Sequence, residues 1–92
     1  MNLMFGKFPA IVVSNLDPEA QARLEVRVPA LNLPTSWAVA CLPPVDPSVV
    51  VFPEPGQAVW VEFEGGDTDR PIWTGLHWSP DFLAPAERGR LH

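Results

Sequence analysis

No tyrosine occurs in this chain of 92 residues, cysteine occurs once and histidine twice. A single cysteine excludes an internal disulfide. One thiol and two isolated imidazoles, Cys41, His77 and His92, fall short of the clustered ligands a zinc site draws on. Cys41 lies in the apolar run from Trp37 to Leu42 and is expected to be a small buried hydrophobe with no redox role. Basic residues are also scarce. Six Lys and Arg against eleven Asp and Glu leave a net charge of −5, and a surface of that sign repels a phosphate backbone, so no nucleic acid is expected as a partner. No apolar run approaches ~18 residues, so no stable membrane insertion is expected. The stretch from Met1 to Lys7 has neither the basic leader nor the apolar core of a secretion signal.

Signatures of catalysis are missing too. Ser14, Ser36, Ser48 and Ser79 sit in no nucleophile-elbow context, and no glycine-rich loop precedes a helix that could cradle phosphate. Glu62 and Glu64 share one face of a strand, roughly 7 Å apart, a separation at which two carboxylates can divide acid and base work. The weightier reading is a solvated face with Arg23 and Arg27 as cross-strand partners. Asp67 and Asp69 alternate in a glycine loop, but an EF-hand needs further oxygen ligands and a terminal glutamate, so a self-capped turn is expected there. The chain is therefore expected to have no catalytic, cofactor-binding or metal residues, to be no enzyme and to take no cofactor.

What the chain does have is short apolar stretches punctuated by twelve prolines and six glycines, a pattern of strands and turns with little helix. At 47% hydrophobic and 18% charged it is too apolar for disorder. The organising stretch runs from Pro53 to Trp78. In Ala58 to Glu64 the residues Val59, Val61 and Phe63 share one face and Ala58, Trp60, Glu62 and Glu64 the other, as in a half-buried strand. Gly65 to Asp69 closes a hairpin. The return strand opens at Arg70-Pro71, and Ile72, Thr74, Leu76 and Trp78 alternate there against Trp73, Gly75 and His77.

Upstream, Phe8 to Ser14 is a first strand ended by Asn15-Leu16-Asp17-Pro18, and Glu19 to Ala22 offers at most one helical turn. Leu24, Val26 and Val28 alternate with Arg23, Glu25 and Arg27 in a second strand that Pro29 stops. A third, Ser36 to Leu42, is apolar at every position after its serine, so both its faces are expected to be covered. Val49 to Phe52 is a short apolar segment. The prediction is an all-β fold, a small five-stranded antiparallel barrel of OB type over residues 1–78, because closure is how short all-β domains remove their edges. An SH3-like barrel fits the pattern almost as well. Residues 79–92 form a short irregular C-terminal tail suited to ordering by a partner. A domain this small has a thin stability margin, which partners can supplement.

Four tryptophans are the remaining anomaly. Trp60 lies beside two glutamates, where an interface and burial are balanced readings, and Trp73 shares that ambiguity. The surface-contact candidates are Trp60, Trp73, Trp78 and Phe82. Aromatic platforms on an OB barrel also bind oligosaccharides or single-stranded nucleic acid, which is the second reading of these rings.

Seven features stand in register between Phe8 and Trp78: Asp17-Pro18; Arg23-Leu24-Glu25-Val26-Arg27-Val28-Pro29; Ser36-Trp37-Ala38; Pro53-Glu54-Pro55-Gly56; Val59-Trp60-Val61-Glu62-Phe63; Gly66-Asp67 followed by Pro71; and Gly75. In this order they resemble the OB-fold domain of phage baseplate hub and tail-spike proteins. That domain also occurs in baseplate assembly protein V, in tail lysozymes and in the valine-glycine repeat spikes of type six secretion. Ala22 replaces a glycine that usually precedes the arginine, a difference that matters where the position needs positive φ. In spike proteins the domain continues into a lysozyme domain or a long triple-stranded β-helix, whereas only residues 79–92 follow it here. The resemblance implies a structural adaptor of a contractile tail or phage-derived injection device. Such an adaptor is a homotrimer in the baseplate hub or central spike, joining a hub protein to a separately encoded spike or tip. It belongs to the virion tail and is assembled in the host cytoplasm.

Overall fold

The computed structural model describes residues 3–44, 46 and 52–77. Five strands, β1 (Phe8–Ser14), β2 (Leu24–Arg27), β3 (Ser36–Ala40), β4 (Ala58–Phe63) and β5 (Pro71–Leu76), close into a barrel in the order β1-β2-β3-β5-β4. The sequence pattern predicts an antiparallel barrel, and four of the five pairings are antiparallel. The fifth, β3 with β5, is parallel, with Val39 opposite Ile72 and Ala40 opposite Trp73. Strand direction cannot alternate all the way round a closed ring of odd number, so one parallel pair is unavoidable.

Alternation sends Ala10, Val12, Leu24, Val26, Ala38, Val59 and Val61 into the lumen, each at most 1% exposed, with Val28, Phe63 and Trp73 completing the core. Two alanines among them leave volume for the indole of Trp73, the large-and-small balance a narrow barrel needs. Phe52 meets the Trp73 ring edge-on at 6.0 Å and Phe8 tilts against Phe63 at 5.6 Å, favourable geometries for aromatic pairs.

Two departures from strict alternation shape the wall. Trp60 pairs with Gly75 and Val61 with Trp73, so Thr74 is an extra residue on β5. The bulge resets the phase of the strand: Trp73 points in with Val61, and the continuous alternation expected through Trp78 is broken. A second bulge sets Val13 out between Val12 and Ser14 of β1. On β3 only one face is covered. Ala38 is buried, but Val39 is 48% exposed and Cys41, expected to be buried, is exposed beyond the strand's end at Ala40. An all-apolar run hid this, because period-two reading has no contrast to work with. The expected segment Val49 to Phe52 lies outside the described residues except for Phe52.

The registers also fix two poles. The starts of β1, β3 and β5 and the ends of β2 and β4 lie at one. That pole carries the arm 3–7, the β2–β3 loop and the β4–β5 loop, where a 3-10 turn, Glu64–Gly66, precedes Asp67. Met4 N donates to Gly66 O at 2.9 Å, laying the arm over this turn. The opposite pole carries the β1–β2 loop, the β3–β4 connection and the exit of the chain after Leu76.

Gly66 has φ +79°, and a Cβ built there would stand 3.0 Å from both the Leu3 side chain and the Phe5 ring. Gly66→Ala combines backbone strain with a displaced arm and is expected to destabilise the barrel by about 1–3 kcal/mol, read as a lower urea midpoint at unchanged m value. Ala22 has φ +60°, a conformation costing a non-glycine residue roughly 1–2 kcal/mol. Ala22→Gly should therefore raise stability by ~1 kcal/mol despite glycine's greater freedom when unfolded; an unchanged or lower midpoint contradicts this.

Candidate binding surface

The most elaborately bonded part of the surface is the β1–β2 loop. Its sequence suggests a helical turn over Glu19 to Ala22, but Ala20 and Ala22 both take positive φ, at 52° and 60°, and the loop is wound instead around the carboxylate of Asp17. Oδ1 accepts from Glu19 N at 2.9 Å, and Oδ2 accepts from Gln21 N at 2.9 Å and from Arg23 N at 3.3 Å. The Arg23 guanidinium closes a two-pronged pair on the same group, Nε to Oδ2 at 2.9 Å and one terminal nitrogen to Oδ1 at 2.8 Å. That same nitrogen reaches Glu19 at 2.8 Å. Arg23 is thus withdrawn from the expected pairing with Glu62 and Glu64, and its side chain is only 18% exposed.

Arg23 also lies over the ring of Trp37, 5.3 Å from the centroid, a cation–π contact strengthened by their shared shelter. Trp73 Nε1 donates to Ala22 O at a long 3.5 Å. The loop is therefore tied to β3 and to the core. The arginine beside Asp17, aided by the backbone N–H donors and opposed by desolvation, holds its carboxyl well below the usual range. The same hydrogen bond raises the Arg23 guanidinium.

The contact candidates separate in the structure. Trp60 stands on the outer wall, half-buried, with the His77 ring tilted against it at 4.5 Å. Trp73 is 5% exposed and belongs to the core, so it presents no contact surface. Trp78 and Phe82 lie outside the described residues. Glu62 is half-buried on the outer wall opposite Ile72, while Glu64 leaves the strand for the 3-10 turn and pairs with Arg70 at 3.0 Å. The two carboxylates therefore do not face a common point as an acid/base pair. Asp67 accepts from Asp69 N at 2.9 Å, the self-capped turn expected there. Among the described residues no group of three His, Cys, Asp or Glu side chains could hold a metal.

Sequence reasoning did not anticipate the exposed apolar side chains at the poles. Leu3 (51%), Phe5 (68%) and Leu33 (40%) project at the pole of the N-terminal arm, and Leu16 (81%), Leu42 (37%) and Leu76 (49%) at the other. A sequence signal existed for Leu16 alone, an apolar residue inside a polar turn.

Strand order, closure and the single parallel pair define a five-stranded OB barrel. A family model, the type VI secretion system/phage-baseplate injector OB domain, matches residues 8–78, and the chain belongs to that family. Its general role is structural, within the baseplate of a phage tail or related injector. No curated protein matches the chain.

Asp17→Asn is expected to lower the thermal midpoint at pH 7, because the neutral amide loses the two-pronged ion pair and leaves Arg23 with only the exposed Glu19 as its charge partner. Asp17 is depressed in the folded state, so its contribution is complete above its unfolded value and is lost as pH falls below about 4 toward the lower folded value. The gap between wild type and variant should narrow over that acid range; a gap independent of pH would remove Asp17 as its cause.

Proposed function

We propose that this chain is a structural adaptor of a contractile tail or phage-derived injector. It sits on the tail axis in the hub or central spike, joins a hub protein to a separately encoded spike or tip, and acts by surface complementarity without chemistry. The observation that carries this reading is the placement of six large exposed apolar side chains at the two poles of a barrel. A closed barrel has no free strand edge to extend, so partners must meet side chains, and apolar side chains at both ends suit a piece stacked between two others. The family supplies the baseplate setting. The protein works in the virion tail after assembly in the host cytoplasm, as a homotrimer, with Trp60 and its His77 neighbour on the wall as protomer contacts and Trp78 and Phe82 as further contact residues.

Light scattering across a concentration series tests the trimer: a mass three times that of the chain supports it, and a monomer throughout removes unaided trimerisation. Phe5→Ser and Leu16→Ser alter opposite poles at exposed positions, where stability changes should stay within ~0.5 kcal/mol. Each variant is expected to keep its thermal midpoint yet fail to enter assembled tails. Incorporation of both at wild-type levels would overturn the adaptor reading.

A further inference from the structure

At the pole where the chain leaves β5, the β1–β2 loop and Phe52 enclose a hollow of about 540 Å³. We propose that the segment after β5 folds back over this pole and seats Phe82 and Leu83 in the hollow of the same chain.

The hollow is apolar, and it is open because several of its residues are small. Leu16 is 81% exposed, Phe52 is half-buried, and Ala20 and Ala22 contribute only methyl groups where longer side chains would fill the space. Asp17 and Arg23 close one side as a fixed ion pair, with the Asp17 side chain only 4% exposed. The wall is therefore set before an occupant arrives, and little ordering of the site opposes docking.

Three observations select the occupant. The first is reach. His77 N donates to Ala58 O at 3.1 Å and Ala58 stands opposite Ile11, so the exit lies two strand spacings, ~10 Å, from β1. The hollow begins at Asn15, four residues further along β1 in the direction in which β5 runs. Phe82 and Leu83, five and six residues beyond His77, cover up to ~17–20 Å when extended, which spans that separation. The groove of about 260 Å³ beside Trp37 and the hollow beside Met4 and Leu33 both lie behind, toward the pole of the arm.

The second is chemistry. Phe82-Leu83 is the one pair of adjacent large apolar residues in 79–92, and the hollow offers Leu16, Phe52 and two alanine methyls to meet it. The third is charge. Asp17, Glu19 and Glu54 stand around this pole against Arg23. Arg88 and Arg90, two of the six Lys and Arg in the chain, outnumber Glu87 in the stretch that follows the apolar pair. Two seated side chains make a weak site between separate molecules. A tether of five residues changes that, because it holds them at an effective concentration on the order of mM. The docking is independent of the adaptor reading. One consequence does rest on that reading: a partner taking this pole displaces the segment and frees Phe82 for the contact assigned to it above.

The test is methyl NMR of the full chain beside its Phe82→Ser variant. The substitution lies beyond β5, and the Leu24 and Val26 methyls of the core report that the barrel is folded. NOEs are expected from the Phe82 ring to the methyls of Leu16, Ala20 and Ala22. Phe82→Ser should abolish the ring-current shifts at those methyls and leave Leu24 and Val26 unmoved. In an equal mixture of isotope-labelled and unlabelled chains, none of these NOEs should connect one chain to another. Three results would each overturn the proposal: no NOE from Phe82 to the hollow, hollow methyls unmoved by Phe82→Ser, or NOEs that cross between chains in the mixture.

Discussion

Closure of the sheet is the constraint on which the rest of this structure depends. Five strands in a ring must include one parallel pair, and the chain places it between β3 and β5, with only Val39–Ile72 and Ala40–Trp73 in register. The seam is short, and Cys41 N donating to Trp73 O at 3.1 Å extends it by one further bond. Where β3 and β5 diverge, the wall opens, and the groove lined by Trp37 and Ile72 lies at that divergence. The seam that completes the barrel is thus also the source of the concavity between β3 and β5.

The β1–β2 loop illustrates how a small domain uses polar groups where its core cannot reach. Asp17, Arg23 and Trp37 form a stack running from loop to sheet, and Ala22 lends its carbonyl to the buried indole of Trp73. The geometry forces two alanines to positive φ, a local cost accepted for a carboxylate whose donors converge from backbone and side chain alike. A glycine at position 22 would relieve part of that strain, which explains why the related pattern favours glycine before the arginine.

Much of the fold was legible because alternation is a strong signal in β2 and β4, where polar and apolar residues contrast at every step. It failed in β3, where Ser36-Trp37-Ala38-Val39-Ala40 offers no contrast, and in β5, where the bulge at Thr74 shifts the phase and brings Trp73 inward. A bulge leaves no mark in composition, so the burial of Trp73 could not be separated from exposure by sequence alone. The Asp17 clasp was illegible for another reason: it depends on convergence of donors from Glu19, Gln21 and Arg23 through left-handed backbone that alanine rarely adopts. The polar apolar clusters were missed because Leu3, Phe5 and Leu33 are far apart in sequence and share a pole only once the registers are fixed.

Entry at one pole and exit at the other has a mechanical meaning. β1 and β5 run in the same direction and are joined through β4, which pairs with both. A pull applied along the axis at the two ends of the barrel loads these two antiparallel ladders in shear, so their hydrogen bonds must yield together instead of peeling one at a time. The barrel is stiff along the line on which a piece held between two others would carry force, and that stiffness comes from strand order alone.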